Sequence, residues 1–302
     1  MLLFFKKAAL PLHLTDIAQI AAGGLLMGLI YALVAAGLSL IFGLMDVVNF
    51  AHGELLMLAM YSVFAIWQLT GADPLLLLPV VAALLFGVGM LIYRGLIARA
   101  LSVQFNRGMV QIFVTFGLAI FLRGAAQFVW GGEFRSVTGH WLADRTVNLG
   151  GVYLPLPQMA ASLVCLVAFA GLLAISRTEF GRALEATRED RDAVALIGID
   201  RDRIFALGWG LGAAAVGVAG VMLAGFYYVG PNVGASFAVI AYVTVALGGF
   251  GSMLGALVAG ILIGEVEAFT AALWEPSLKQ VGVFAVYLAV LMFRPRGLFG
   301  KL

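Results

Sequence analysis

The sequence predicts an all-α polytopic membrane protein of about eight transmembrane helices, eight or nine in all. Three observations point to it. Hydrophobic residues make up 63% of 302 positions and charged residues only 11%, whereas a soluble domain is nearer half apolar and a quarter charged. Mean hydropathy is +1.06, more apolar surface than a water-soluble fold of this length could hide. The apolar residues also fall in runs of bilayer length, separated by short connections in which arginines collect.

Clear spans are expected at about 17–44, 75–93, 109–130, 156–175, 204–228 and 278–293. Two stretches are less regular, and re-entrant or broken segments are expected there. Residues 47–69 open on the polar string Asn49-Phe50-Ala51-His52-Gly53-Glu54. Residues 236–274 are interrupted by Gly248-Gly249-Phe250-Gly251-Ser252, which suits two short spans or a re-entrant pair. Irregular backbone at membrane depth is tolerated only where protein buries it or a cavity wets it. The whole chain, 1–302, reads as one transmembrane domain. The 38 glycines suit close helix contact, and Gly24/Gly28, Gly208/Gly212, Gly251/Gly255 and Gly260/Gly264 each show the small-x-x-x-small spacing.

Basic residues orient the chain. Arg94, Arg99 and Arg107 share one connection; Arg177, Arg182, Arg188, Arg191, Arg201 and Arg203 share another; Arg294, Arg296 and Lys301 close the sequence. Together they are 12 of the 18 Lys and Arg residues, and even numbers of spans separate them, so all three groups belong on the cytoplasmic side. The connection 131–155 then faces outward. Three full spans before Arg94 put Lys6 and Lys7 outside, against the rule; a re-entrant 47–69 would return them to the inside. No small-residue cleavage site follows Lys6 and Lys7, so the first span is expected to act as its own insertion signal.

Segment 176–203 is the long polar stretch, with six Arg and seven Asp or Glu. Its alanines, the four-residue spacing of Glu185 and Glu189, and Gly198 as a stop read as a short helix. Leu184, Val194 and Ile197 add a small apolar face. It is either a solvated loop helix or a docking helix for a cytoplasmic partner.

Two stretches resemble a known family. Tyr31-Ala32-Leu33-Val34-Ala35-Ala36-Gly37-Leu38-Ser39-Leu40-Ile41-Phe42-Gly43 followed by Val48-Asn49-Phe50-Ala51-His52-Gly53-Glu54 is similar to the first membrane segments of LivH-type branched-chain amino acid permeases. Gly181-Arg182-Ala183-Leu184, Glu189-Asp190 and Ala195-Leu196-Ile197-Gly198-Ile199 resemble that family's cytoplasmic loop. Ala219-Gly220-Val221, Tyr227-Tyr228, the Gly-Gly-Phe-Gly-Ser turn and the ending Arg294-Pro295-Arg296-Gly297-Leu298-Phe299-Gly300 follow in the same order. The resemblance implies a permease subunit of an ABC importer in the bacterial inner membrane. Its expected partners are two cytoplasmic ATPase subunits, a second permease chain (related, not identical) and a periplasmic substrate-binding protein. It makes 176–203 the expected coupling loop, with Arg182, Leu184, Glu185, Arg188, Glu189, Asp190, Leu196 and Gly198 as contact residues. The general Glu-Ala-Ala pattern with a later Gly is met loosely, by Glu185-Ala186-Thr187 and Gly198. The implied cargo is a branched-chain amino acid, with urea or short amides as the alternative on this scaffold.

Several chemistries are not encoded. No Gly-x-x-x-x-Gly-Lys-Ser/Thr string is present to cradle a nucleotide, so energy must come from a partner or an ion gradient. His13, His52 and His140 are scattered and Cys165 is single, which gives no metal site or disulfide framework within the chain. No nucleophile–base constellation occurs, so neither an enzyme activity nor a cofactor is expected, and no nucleic-acid partner. Intramembrane polar groups remain as candidates for a transport path, because each is costly in lipid. Asn49 and His52 share a helical face beside Gly53 and Glu54, suiting either a path or a polar lock between helices. Glu265 and Glu267, two apart, cannot share a face, so one could meet a cavity while the other meets an interface. Glu265 is the carboxylate that an ion-coupled secondary transporter, the rival class, would use.

Overall fold

The computed structural model describes residues 13–45, 48–102, 106–189, 193–196 and 198–300. Lys6, Lys7, Asp190, Arg191, Ile197 and Lys301 lie outside them. Helices α1 (Leu14–Met45), α2 (His52–Thr70), α3 (Pro74–Ile92), α4 (Ala98–Ser102), α5 (Arg107–Trp130), α6 (Leu156–Ser176), α7 (Glu179–Glu189), α8 (Ala193–Leu196), α9 (Arg201–Ala224), α10 (Val233–Gly248), α11 (Met253–Leu273) and α12 (Lys279–Phe293) follow in order. A single hairpin, β1 (Thr146–Leu149) with β2 (Val152–Pro155), lies between α5 and α6. A π-turn, Tyr93–Ile97, joins α3 to α4 so that Pro74–Ser102 runs as one span. Among the described residues eight helices are long and apolar enough to cross a membrane, and α10, at 16 residues, is a shorter apolar one. The chain is therefore an all-α, multi-pass membrane protein.

Helix starts follow their capping chemistry. Asp73, before Pro74, accepts a hydrogen bond from the Leu75 amide at 2.9 Å, and Ser252 accepts from Gly255 at 3.0 Å. Asp200 takes the Asp202 and Arg203 amides at 3.1 Å each, satisfying two of the orphan donors of α9. Asp200→Ala is expected to cost about 1 kcal/mol and to lower the melting temperature of the purified protein by roughly 2 °C. A calorimetric scan checks this, and an unchanged midpoint would mean that water replaces the cap.

The core is built on α9, whose face from Phe205 to Ala224 is almost wholly buried. Glycines set its approach distances. A methyl group on Gly89 would stand 2.6 Å from the Trp209 carbonyl oxygen, and one on Gly212 would stand 2.8 Å from that of Gly37. The paired spacings of the sequence meet across α1 and α11: a methyl on Gly28 would lie 2.7 Å from the Ile261 Cα, and one on Gly264 would lie 2.6 Å from the Gly28 Cα. Backbones at that range gain dispersion contacts that bulkier residues forbid.

Contacts between helix ends sort the two faces. Gly43 at the end of α1, Arg188 on α7, the turn Gly249–Ser252 and residues 294–300 meet on one face, and Tyr93 reaches Asp202 there at 3.0 Å. Arginines of all three basic groups lie there, Arg94 next to Tyr93, Arg188 on α7 and Arg296 after α12. On the opposite face Gln19 exchanges two 2.7 Å hydrogen bonds with the backbone of Tyr153. Trp141 donates to Asp73 at 2.7 Å, and Arg135 pairs with Val229 in an isolated bridge. So α1 starts opposite the basic face, and α1, α2 and α3 each cross. The stretch 236–274 resolves into α10 descending to the basic face and α11 returning.

Candidate transport path and coupling face

The polar string is a break at membrane depth. Residues 48–51 are not helical, and α2 starts only at His52, whose Nε2 lies 2.9 Å from the Val34 carbonyl oxygen well inside α1. Tyr242 meets the exposed backbone by donating to the Asn49 carbonyl at 3.0 Å, and the Thr115 hydroxyl, 2.9 Å from the Gln111 carbonyl of its own helix, lies 3.4 Å from that of Val48. Asn49 Oδ1 accepts from the Ala51 amide at 3.1 Å. Glu54, 2% exposed, pairs with Arg123 of α5 through Nε at 3.2 Å and through the second guanidinium nitrogen. Asn49, His52 and Glu54 thus hold α1, α2, α5 and α10 together.

A groove runs beside this lock, lined by α1, α10 and α12. Its upper part, toward the face opposite the arginines, is a cavity of about 480 Å³ bordered by Tyr31, Gln158, Tyr227, Tyr228, Glu267 and Lys279 among others. Its lower part, about 370 Å³, is apolar and lined by residues including Leu38, Phe42, Val239, Tyr242, Phe284 and Tyr287. Phe237 borders the upper part, edge-on to Tyr31 at 6.0 Å and to Tyr227 at 5.5 Å. Burial and the neighbouring Tyr228 hydroxyl raise the pKa of Tyr227 in the loop between α9 and α10, so its hydroxyl stays protonated as a neutral donor.

The candidates from sequence sit differently from one another. Asn49, His52, Glu54 and Glu265 border neither cavity. Glu265 lies on the α1–α11 seam, its Oε2 2.9 Å from where a Gly24 methyl would stand. Glu267, two residues on, faces the upper cavity. Tyr31 and Lys279 were not singled out by sequence reasoning. Tyr31 looks like one more residue of an apolar span, and Lys279 like an anchor at a span end.

On the basic face, α7 and α8 carry the described part of the expected coupling segment. Gly198, at φ 83, takes the left-handed conformation that ends α8. Arg182 pairs with Glu179, Glu185 and Glu189 are exposed, Leu184 is half-buried, and Leu196 stands 90% exposed. Asp190 is outside the described residues. Arg188 reaches the α10–α11 turn, where its guanidinium would be 3.5 Å from a methyl on Gly251. The Arg-Pro-Arg-Gly-Leu-Phe-Gly ending has a structural role there. The Leu298 and Phe299 amides donate at 2.8 and 3.0 Å to the Leu247 and Gly248 carbonyls, the free acceptors at the end of α10.

Comparison with known proteins meets this geometry. Residues 20–291 match the family described as the branched-chain amino acid transport system permease component. The high-affinity branched-chain amino acid transport system permease protein BraD of Pseudomonas aeruginosa is 31% identical over 94% of this chain and 95% of its own. The LivH permease protein of Escherichia coli is 28% identical over 92% and 94%, and a probable LivH of Methanocaldococcus jannaschii 26% over 96% and 95%. No solved structure matches. With the family matched across all eight long spans and a relative above 30% identity over nearly its full length, the chain belongs to the branched-chain amino acid transport system permease family.

Proposed function

We propose that this chain is one membrane-spanning subunit of an ATP-driven importer for branched-chain or related amino acids, delivered by a periplasmic binding protein. The observation that carries the reading is the contact of α7 with the turn at the foot of α10, because α10 also walls the groove. A push on α7 from outside the membrane therefore reaches the groove through Arg188 and Gly251. The arginine-rich face is cytoplasmic by the positive-inside rule, in the inner membrane, where two ATPase subunits dock on 176–203. A second, related but non-identical permease chain closes the open side of the groove. Closure of the ATPase pair moves α7, and the groove alternates between outward and inward access. ATP hydrolysis belongs to the partners, so this chain is not an enzyme by itself. The apolar lower cavity suits an aliphatic side chain better than it suits urea or a short amide.

The test is uptake of labelled leucine, urea and acetamide by vesicles holding the whole complex, with and without internal ATP and with the proton gradient collapsed. Leucine uptake that needs ATP and survives the collapse is the expected result. Uptake that follows the gradient and ignores ATP would replace the importer with an ion-coupled carrier. Leu196→Asp, at an exposed apolar position on the docking face, is expected to leave folding intact and to lower ATP-dependent uptake about tenfold, the scale of losing an apolar anchor. Wild-type uptake by this variant would remove Leu196 from the ATPase contact.

A further inference from the structure

The upper cavity holds a charge arrangement that a transmembrane hairpin has no structural need to place beside open space. Glu267 on α11 is 8% exposed, and its Oε2 accepts from the Tyr31 hydroxyl at 2.6 Å. Its Oε1 lies 2.6 Å from Lys279 Nζ. The two partners differ in freedom: the Lys279 side chain is 41% exposed and that of Glu267 only 11%. The carboxylate is anchored by Tyr31, whereas the ammonium sits on a long flexible stem at the mouth. Tyr227 and Tyr228 stack at 4.5 Å to form an aromatic wall of the same cavity. Immediately below lies the apolar cavity walled by the same three helices.

From this we infer that Glu267 and Lys279 form the outer acceptor for the zwitterion of a free α-amino acid. The ligand's ammonium takes the place of Lys279 against Glu267, and the freed Lys279 Nζ turns to the ligand's carboxylate. One ion pair is exchanged for two, so no charge is left uncompensated as water is displaced, the condition under which burying charge is tolerated. With its polar end held there, the ligand's side chain points toward the apolar cavity. Urea and short amides carry neither charge and would have to break the Glu267–Lys279 pair without replacing it. The site therefore selects amino acids over neutral amides by leaving the wrong ligand facing unpaired groups. The inference rests on the importer reading above.

The experiment compares three forms of the whole complex in vesicles supplied with the leucine-loaded binding protein. They are wild type, the swap Glu267→Lys with Lys279→Glu, and the uncharged pair Glu267→Gln with Lys279→Met. Each is scored for assembly, for ATP hydrolysis stimulated by the loaded binding protein, and for leucine uptake. A brace between α11 and α12 survives the swap, because opposite charges still face each other. An acceptor does not, because a ligand bound in reverse directs its side chain away from the apolar cavity. The expected result is an assembled, ATP-hydrolysing swap variant whose leucine uptake falls about tenfold or more, the scale set by one desolvated charge contact. Wild-type leucine uptake by the swap variant overturns the acceptor and leaves a brace. If the swap variant does not assemble, the uncharged pair is read in the same way: lost uptake supports the acceptor, and retained uptake overturns it. A wild-type complex that takes up no amino acid with ATP sinks the importer reading itself, and the acceptor with it.

Discussion

Replacing Arg123 with methionine is expected to destabilise the folded protein by about 3 kcal/mol, a large share of a typical folding stability. The change leaves the Glu54 carboxylate 2% exposed with its guanidinium partner gone, and breaking a buried pair from one side costs about 3 kcal/mol or more. Glu54→Gln works from the other side. Arg123 sits on α5, whose outer face presents Phe113, Phe116, Ile120, Phe121 and Phe128 to the membrane. An unpaired arginine at that depth costs about 3 kcal/mol. The double variant Glu54→Gln with Arg123→Met removes both charges, so it should recover much of what either single change loses. The shortfall from additivity measures the pairing. Thermal melting and the monodisperse yield after detergent extraction read the four proteins together. A single variant as stable as the parent would show that α5 does not depend on this contact.

Gly53→Val is expected to disrupt the crossing of α2 and α10 with comparable force. A methyl group on Gly53 would meet the Gly234 carbonyl oxygen and stand 2.6 Å from Ala238 Cβ. A methyl on Gly234 would stand 2.6 Å from the Gly53 carbonyl oxygen and 2.7 Å from Glu54 Oε2. Three of these obstacles are backbone or a short side chain, which cannot swing aside as a long one could. The expected cost is about 3 kcal/mol, the upper end of the range for overpacking. Its direction should also show in transport, since α10 walls the groove. Gly87→Ala, at a helical position with nothing within 4 Å of the added methyl, is the control and should be neutral or slightly stabilising. A Gly53→Val protein that melts with the parent would mean that the two helices can part without loss.

Much of this was legible residue by residue. The spans at 109–130 and 156–175 fall within a residue or two of α5 and α6, because a run of apolar residues in lipid has no alternative to satisfying its own backbone. The break at Asn49–His52 was legible for the complementary reason, since a polar string inside an apolar run must end or interrupt a helix. The glycine spacings on α1 and α11 were visible too. That Gly24/Gly28 and Gly260/Gly264 would meet each other, and not some other pair, was not visible in either segment alone. The start of α1 opposite the arginines ran against Lys6 and Lys7 counted in isolation; three complete crossings before Arg94 require it.

The sequence by itself determined the solvent, the class and the family resemblance. Each of these is local: composition, a run length or a short string settles it. Only the tertiary structure decided which polar residues lock the fold and which face open space. Glu265 and Glu267 are two positions apart on one helix, and of the two only Glu265 was a path candidate from sequence. The rotation of α11 against α1, set by glycine contacts far along the seam, turns one into the interface and the other toward Tyr31 and Lys279. Such a choice depends on helix rotation and on partners distant in sequence, and no window of neighbouring residues contains it.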